Sequence, residues 1–459
     1  MVRIGLALLA AVASPACAGE ALSLHPRNPH YLQFRGKPAI LITSGEHYGA
    51  VLNLDFDYVP YLDELKDKGL NLTRTFSGVY CESAASFNIK GNPLAPAAHK
   101  YACPWARSAT PGYANGGARF DLTKWDDAYF ARLRDFVAQA GARGIVVEYV
   151  LFCPFYEDEM WRLSPMNAAN NVNGIGTMPR TEVYTLKDAR MQAVHDAFVR
   201  KAVAALNEFD NLYYEICNEP YFGGVTMAWQ RHIADTIVDA EKGLPLRHLI
   251  AQNIANDKAK VADPHPAVSI FNFHYARPPE AVAMNWGLGK VIADDETGFK
   301  GSADATYRTE GWDFIIAGGA IYSNLDYSFT PDHERGTAKA QAPGGGSAEL
   351  RRQLRILKDF VHGFDFLAMQ PHNEIVKGGV PAKATARVLA EPGRAYAIYL
   401  NGGAKAELAI ELPAGAYKAQ WVDTKTGAVA AEEAFTHGGG VRTLASPAYK
   451  DDIALRITR

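Results

Sequence analysis

The sequence predicts a (β/α)8 barrel followed by a small antiparallel β-sandwich, and three observations carry that prediction. Short apolar runs alternate with amphipathic helical stretches over most of the chain, the signature of parallel βαβ units. No glycine-rich turn follows the first apolar run, where a doubly wound sheet would hold a phosphate. From about Met369 the pattern changes to short alternating segments separated by Gly, Pro and Asn turns, without helix-length amphipathic runs.

Taken in order, the chain begins with a basic residue, Arg3, an apolar stretch from Ile4 to Ala13, and the small residues Ala16-Cys17-Ala18. This reads as an export signal over residues 1–18, cleaved before Gly19, and implies a periplasmic or secreted protein. Use of Cys17 as a lipid anchor is disfavoured, because Ser14-Pro15-Ala16 lacks the usual apolar residue ahead of the small ones. The apolar stretch is too short to span a membrane, and no later segment is long enough. Tyr31 to Pro38 reads as a hairpin covering one end of the barrel. Within a barrel domain over 19–368, strands are expected at Ala39–Thr43, Leu70–Phe76, Ile145–Phe152 and Leu212–Asn218. The remaining four are expected at Leu249–Asn253, Val268–His274, Val291–Asp295 and Ala320–Asp326. Helices fall at Asp57–Lys68, Lys124–Arg143, Leu186–Asn207, Met227–Lys242 and Glu349–Phe364, and the glycine run Pro343 to Ser347 reads as a flexible loop tip. The sandwich domain, 369–459, draws strands from Thr385–Leu389, Ala395–Tyr399, Ala406–Glu411, Tyr417–Asp423 and Ile453–Ile457.

Composition narrows the function. With 459 residues, 21% charged and 48% hydrophobic, the chain is an ordinary globular protein of two domains. A net charge of −3 without basic runs argues against nucleic acid as a partner. Export leaves Cys81, Cys103, Cys153 and Cys217, and Cys81–Cys103 is the favoured disulfide because the two flank one irregular segment. Cys153 and Cys217, near the ends of two strands, are read as free core thiols. No spacing fits a metal site, and no organic cofactor is implied.

The chemistry is expected where barrel strands end, since the carboxyl face is the working face of this fold. The fourth strand runs Asn211-Leu-Tyr-Tyr-Glu-Ile-Cys-Asn-Glu-Pro220, and period-two alternation sets Tyr213, Glu215, Cys217 and Glu219 on one side. Pro220 lacks an N–H and stops the ladder, leaving Glu219 at the strand end. The seventh strand, Val291 to Gly298, ends in Asp294, Asp295 and Glu296. Two carboxylates facing across a barrel mouth are what glycosidic bond cleavage requires. A lone Glu before a Pro is ordinarily a cap or a loop anchor, so the pairing carries more than either residue. A Gly-x-Ser-x-Gly elbow is absent, which disfavours an esterase.

Tyr214-Glu215-Ile216-Cys217-Asn218-Glu219-Pro220 resembles the strand-four motif of glycoside hydrolase clan A, the cellulase family 5 in particular. Val291-Ile292-Ala293-Asp294-Asp295-Glu296-Thr297-Gly298 is similar to the clan's strand-seven segment. The resemblance implies a retaining glycoside hydrolase acting on a carbohydrate, with Glu219 as acid/base, Glu296 as nucleophile and Asn218 on the sugar hydroxyl beside the anomeric carbon. It further implies that Arg74 pairs with the nucleophile and that His274-Tyr275 supplies a hydroxyl to it. Asp294 and Asp295 are extras to the pattern. At the eighth strand the clan's Trp platform is missing, and Asn324 or Tyr327 are the candidate substitutes. Glu46 and His47, after the first strand, are candidate substrate contacts, with loop capping as the alternative. Trp161, in the loop after the third strand, is a candidate stacking surface. A retaining mechanism implies carboxyl groups about 5–5.5 Å apart, and nearby negative charge from Glu296 is expected to raise the pKa of Glu219. A carbohydrate-binding protein that has lost catalysis is the competing reading.

Overall fold

A computed structural model describes residues 20–339 and 343–459. The expected export signal over 1–18, Cys17 included, lies outside the described residues.

Strands of a parallel barrel are covered on both faces, so they read as unbroken apolar runs. The eight barrel strands keep an apolar framework interrupted by polar residues: β1 (Leu41–Gly45), β2 (Leu72–Phe76), β3 (Val146–Phe152), β4 (Leu212–Cys217), β5 (Ile250–Asn256), β6 (Val268–His274), β7 (Val291–Thr297) and β8 (Ile321–Leu325). Every residue of β1 to β4, β7 and β8 is buried. All neighbours are parallel, in the order β1-β8-β7-β6-β5-β4-β3-β2. The seam between β1 and β2 is bridged by Asn71, whose side chain imitates a strand residue. It accepts from Ile42 N–H at 2.9 Å and donates to the Ile40 carbonyl at 2.8 Å, and its backbone carbonyl accepts from Val146.

The helices of the barrel are α1 (Tyr58–Asp67), α2 (Asp127–Ala142), α3 (Ala189–Leu206), α4 (Met227–Glu241), α5 (Glu280–Asn285), α6 (Asp304–Ile316) and α7 (Ala348–His362), with a further short helix at Asp158–Leu163 in the loop after β3. Five begin on a side chain that accepts an orphan N–H of the first turn: Asp57, Asp126, Asp188, Thr226 and Ser347. The helix expected from Lys124 starts at Asp127 because Ala118–Trp125 pairs with Trp105–Pro111 as a hairpin in the long segment after β2. At the amino-terminal end, Leu32–Phe34 and Lys37–Ala39 form the expected hairpin around Arg35-Gly36, both with positive φ, as a tight primed turn requires. Arg35 pairs with both oxygens of Asp210 just before β4, which fixes the hairpin under the barrel.

The glycine run before α7 is packed, not free. A Cβ on Gly344 would lie 2.3 Å from the Tyr327 ring, and one on Gly346 would lie 1.8 Å from Asp326. Close approach of the backbone to the barrel rim is what these glycines permit.

Beyond α7 come β9 (Thr385–Glu391), β10 (Ala395–Asn401), β11 (Glu407–Leu412), β12 (Gly415–Val422), β13 (Val429–His437), β14 (Gly440–Ala445) and β15 (Asp452–Thr458). A six-stranded antiparallel sheet containing β9-β10-β15-β12-β13 faces a three-stranded sheet containing β11-β14, with Ile398, Leu400, Leu408, Ile410 and Trp421 in the core between them. The other face of the larger sheet joins the barrel core through Leu389, Ala397, Tyr399 and Ala454. Arg308 of α6 reaches across to Asp452, and the Trp312 ring stacks on Tyr399 at 5.4 Å.

Candidate active site

The carboxyl ends of the barrel strands enclose a pocket of about 380 Å³, lined among others by Glu219, Glu296, Asn218 and Tyr275. Each carboxylate arrives by a local departure from regular strand geometry. Glu219 takes φ 35°, so the chain leaves β4 sharply at that residue and its carboxylate is set in the pocket. In β7 a bulge interrupts the ladder to β6, where Phe273 pairs with Asp294 but His274 pairs with Glu296. The bulge turns two consecutive carboxylates inward. Asp295 accepts from Asn272 at 2.9 Å and lies 3.3 Å from Arg74, while Glu296 reaches the pocket itself. Asp294 points elsewhere and accepts from the Ala276 N–H. Of the three, only Glu296 lines the pocket.

Arg74 ties the two strand ends together. Its guanidinium donates to Glu215 at 2.5 Å, to Glu296 at 3.1 Å and to the Asn218 side-chain Oδ1 at 2.7 Å, and it lies 4.5 Å over the Tyr48 ring. From Asn218 the chain of donors continues: its amide donates to the Tyr156 hydroxyl at 2.8 Å, which donates to Glu219 at 2.7 Å. The Tyr275 hydroxyl donates to Glu296 at 2.7 Å. His274 Nδ1 stands between the pair, 3.2 Å from Glu219 and 3.5 Å from Glu296. Oxygens of Glu219 and Glu296 lie within 4.8 Å of one another.

Charge in this region is far from balanced. Below the pocket Arg74 meets Glu148, Glu215, Asp295 and Glu296. Burial pushes Glu215 up to about 7 and lifts Asp295 well above the carboxylate range, helped by the charge of Glu148. Protons driven onto these deeper groups leave more of the guanidinium charge for Glu296. Burial also favours a raised pKa at Glu219, but the donors at His274, Tyr156 and Tyr221 outweigh it and hold that carboxyl below its ordinary value. This corrects the expectation of a raised pKa at Glu219: the hydrogen-bond donors to the ionised form, with the charge of His274, outweigh burial.

Arg74, Asn218, Glu219, His274, Tyr275 and Glu296 are thus brought together, and His47 joins them on the pocket wall. Four other candidates are placed differently. Glu46 accepts from the N–H groups of Gly49 and Ala50 and anchors the loop after β1, its pKa raised by burial to about 7. Trp161 is buried against Phe155 and donates to the Met178 carbonyl. Asn324 is buried and donates to the Leu325 carbonyl. Tyr327 packs behind His47, with ring centroids 5.7 Å apart. Tyr156, Tyr221 and Glu82 escaped the sequence reading. Tyr156 sits four residues beyond β3, where its position at a barrel strand end was the available signal.

The four cysteines are free and buried. Cys81 and Cys103 do not form the expected disulfide: Cys103 Sγ faces the Trp105 carbonyl at 3.6 Å, and Cys81 sits among tyrosines with its thiol pushed by burial up to about 12. Among the described residues, two buried sets have ligand-type atoms within 4.8 Å of one another, Glu219-His274-Glu296 and Glu148-Glu215-Asp295. In the second, Arg74 already supplies positive charge.

An eight-stranded parallel barrel with paired carboxylates at its carboxyl face and a trailing β-sandwich defines the architecture. No protein-family model matches the sequence, and no curated protein matches it. Solved structures do match its shape. A provisionally assigned glycoside hydrolase from Bacteroides vulgatus superposes with a TM-score of 0.68 at 15% identity, covering 97% of this chain and 83% of that one. A glycoside hydrolase of family 5 from the same organism gives 0.64 at 14%, covering 96% and 94%. A family 5 mannosidase from Rhizomucor miehei gives 0.50 at 12%, covering 76% of this chain and 100% of its own. At such identities the likeness establishes the fold, and it is the fold of the family whose strand motifs the sequence resembles.

Proposed function

We propose that the protein is an exported, retaining glycoside hydrolase that cleaves β-glycosidic bonds of an oligo- or polysaccharide, its catalytic barrel spanning 19–368 and its β-sandwich 369–459. The observation that carries this reading is the spacing of Glu219 and Glu296, with oxygens within 4.8 Å. Retaining enzymes hold their carboxyl groups about 5–5.5 Å apart and inverting ones about 6.5–9.5 Å, and the close approach of these oxygens favours the retaining arrangement.

In the first step a Glu296 oxygen attacks the anomeric carbon while Glu219 gives its proton to the departing glycosidic oxygen. A glycosyl ester on Glu296 results. In the second step Glu219, now ionised, takes a proton from water, whose oxygen attacks the anomeric carbon and returns Glu296 as carboxylate. Arg74 and the Tyr275 hydroxyl hold Glu296 ionised and oriented. The low pKa of Glu219 suits the second step, in which it is the base. For the first, a substrate that excludes water from the pocket raises the cost of two neighbouring negative charges and returns a proton to Glu219. Asn218 has one amide hydrogen directed only at the Cys153 thiol, 3.7 Å away, and that hydrogen serves a sugar hydroxyl. The scheme uses no metal or organic cofactor. The names of the structural neighbours, glycoside hydrolases and a mannosidase, agree with a carbohydrate substrate.

The test is hydrolysis of a broad panel of aryl β-glycosides and of plant and microbial polysaccharides, by the full chain and by Glu219→Ala and Glu296→Ala. Hydrolysis abolished by either change is expected. Glycan binding with no turnover by the unaltered chain would instead identify a carbohydrate-binding protein on a glycosidase barrel.

A further inference from the structure

Resting on the glycosidase reading, the two sides of the pocket have different tasks and are built differently. Glu219 protonates the departing oxygen, so the leaving group lies on its side. The attacked sugar lies over Glu296, toward the segments that follow β1 and β2. On the leaving side Tyr221 and Phe222 stand at the rim and are exposed. The sugar side is walled. Residues 77–104 cross the segment after β1 and are fastened to it by Ala102 N–H to the Leu52 carbonyl at 2.8 Å, Leu54 N–H to the Lys100 carbonyl at 2.9 Å, and the Asn53 amide to the Pro93 carbonyl at 3.0 Å. Gly49 meets this strap so closely that a Cβ would lie 2.2 Å from the Pro93 carbonyl. Leu94, from the strap, lines the pocket while fully buried. Phe87 and Phe299 both line the pocket and meet edge to face, 6.4 Å between ring centroids, each with positive φ.

Inside the walled end stand His47, Tyr48 and Glu82, all buried. Neither ring nitrogen of His47 has a hydrogen-bond partner, and the Tyr48 hydroxyl has none either. Glu82 lies 3.5 Å from His47 Nε2, near enough for charge attraction. Buried polar groups without partners are few in native folds, and several aimed into one pocket await a ligand's hydroxyls. The described lining contains the carboxylates of Glu82, Glu219 and Glu296 and no lysine or arginine. A sugar carrying a carboxylate would meet repulsion there with no cationic group to pair with except His47.

We infer that this site removes one neutral sugar at a time from the non-reducing end of its substrate, with His47, Tyr48 and Glu82 gripping that sugar's hydroxyls, and that it rejects uronic acids. The strap, with Leu94, stands where a second sugar beyond the one attacked would lie, and the rim at Tyr221 and Phe222 accepts the rest of the chain.

The experiment uses the full chain with borohydride-reduced cellopentaose, mannopentaose and xylopentaose, following the earliest products by chromatography. It adds nitrophenyl β-glucoside, β-mannoside, β-xyloside and β-glucuronide as single-sugar probes. Expected are the free monosaccharide and a chain shortened by one, glucuronide turnover at least a hundredfold below the best neutral probe, and a kcat/KM loss of tenfold or more on the nitrophenyl probe in Glu82→Gln and in His47→Ala. Because nitrophenyl probes have no sugar on the leaving side, that loss reports the walled end alone. Di- and trisaccharides among the earliest products, comparable glucuronide turnover, or unchanged kcat/KM in both variants overturns the inference. Mixed products that still depend on Glu219 overturn it while leaving the glycosidase reading standing. Hydrolysis of every probe unaffected by Glu219→Ala removes that reading, and this inference with it.

Discussion

Two buried arginines, Arg74 in the barrel mouth and Arg308 against the sandwich, are used in opposite ways. Arg308 meets Asp452 at 2.5 Å, with Gln353 and, through Asp452, the Tyr399 hydroxyl completing the set. Each group there has a partner, and the result is a charge-matched joint between two domains. Arg74 is set against four carboxylates, and Glu148 Oε2, Glu215 Oε1 and Asp295 Oδ1 are left without hydrogen bonds. Buried ion pairs hold a structure together only when geometry and partners compensate desolvation. The interface meets that condition and the mouth does not, which marks the mouth as a place where stability is given up for a reactive arrangement.

The contrast is breakable. The largest expected effect is on activity: Glu296→Ala lowers kcat on the order of 10⁴-fold, while its thermal midpoint stays at or above that of the unaltered chain. A fall in stability to match would mean the carboxylate is there for the fold. Next is Asp452→Ala, expected to lower the urea-unfolding free energy by about 3–5 kcal/mol by leaving Arg308 buried and unpaired, with the activity of the folded protein retained. Glu148→Gln should do the reverse on a smaller scale, leaving stability unchanged or raising it by about 1 kcal/mol, since it removes one of several crowded negative charges. A clear destabilisation would show that the cluster is balanced after all. Smallest is Tyr221→Phe. The Tyr221 hydroxyl donates to ionised Glu219 at 3.1 Å and favours its charged form. Removing it raises the Glu219 pKa, so the acid form persists to higher pH and the basic limb of kcat/KM moves up. A downward shift would contradict the assignment of that limb.

Much of this was legible in the sequence. All eight barrel strands were expected within a few residues, because doubly buried strands leave apolar runs and Val268–His274 could be read to the residue. Of the sandwich, β13 and β14 were missed, because their exposed Ala, Glu and Gly residues carry no alternation to read. The six residues of the carboxylate site were legible because five of them cluster where β4, β6 and β7 end, and Arg74 stands out as a charge inside the buried β2. What surrounds them was not. The bulge that separates the tasks of Asp295 and Glu296 depends on the β6 ladder, and the left-handed turn at Glu219 on packing at the mouth. Loop residues show the same limit from both sides: Trp161 looked like a sugar platform and is core, while Glu82, which no motif singled out, lines the pocket.

The central claim is that Glu219 and Glu296 act as a retaining pair, and stereochemistry tests it most directly. Hydrolysis of an aryl β-glycoside, followed by proton NMR from the first minute, should show the β-anomer of the released sugar forming first and then mutarotating toward equilibrium. Initial appearance of the α-anomer would contradict the account.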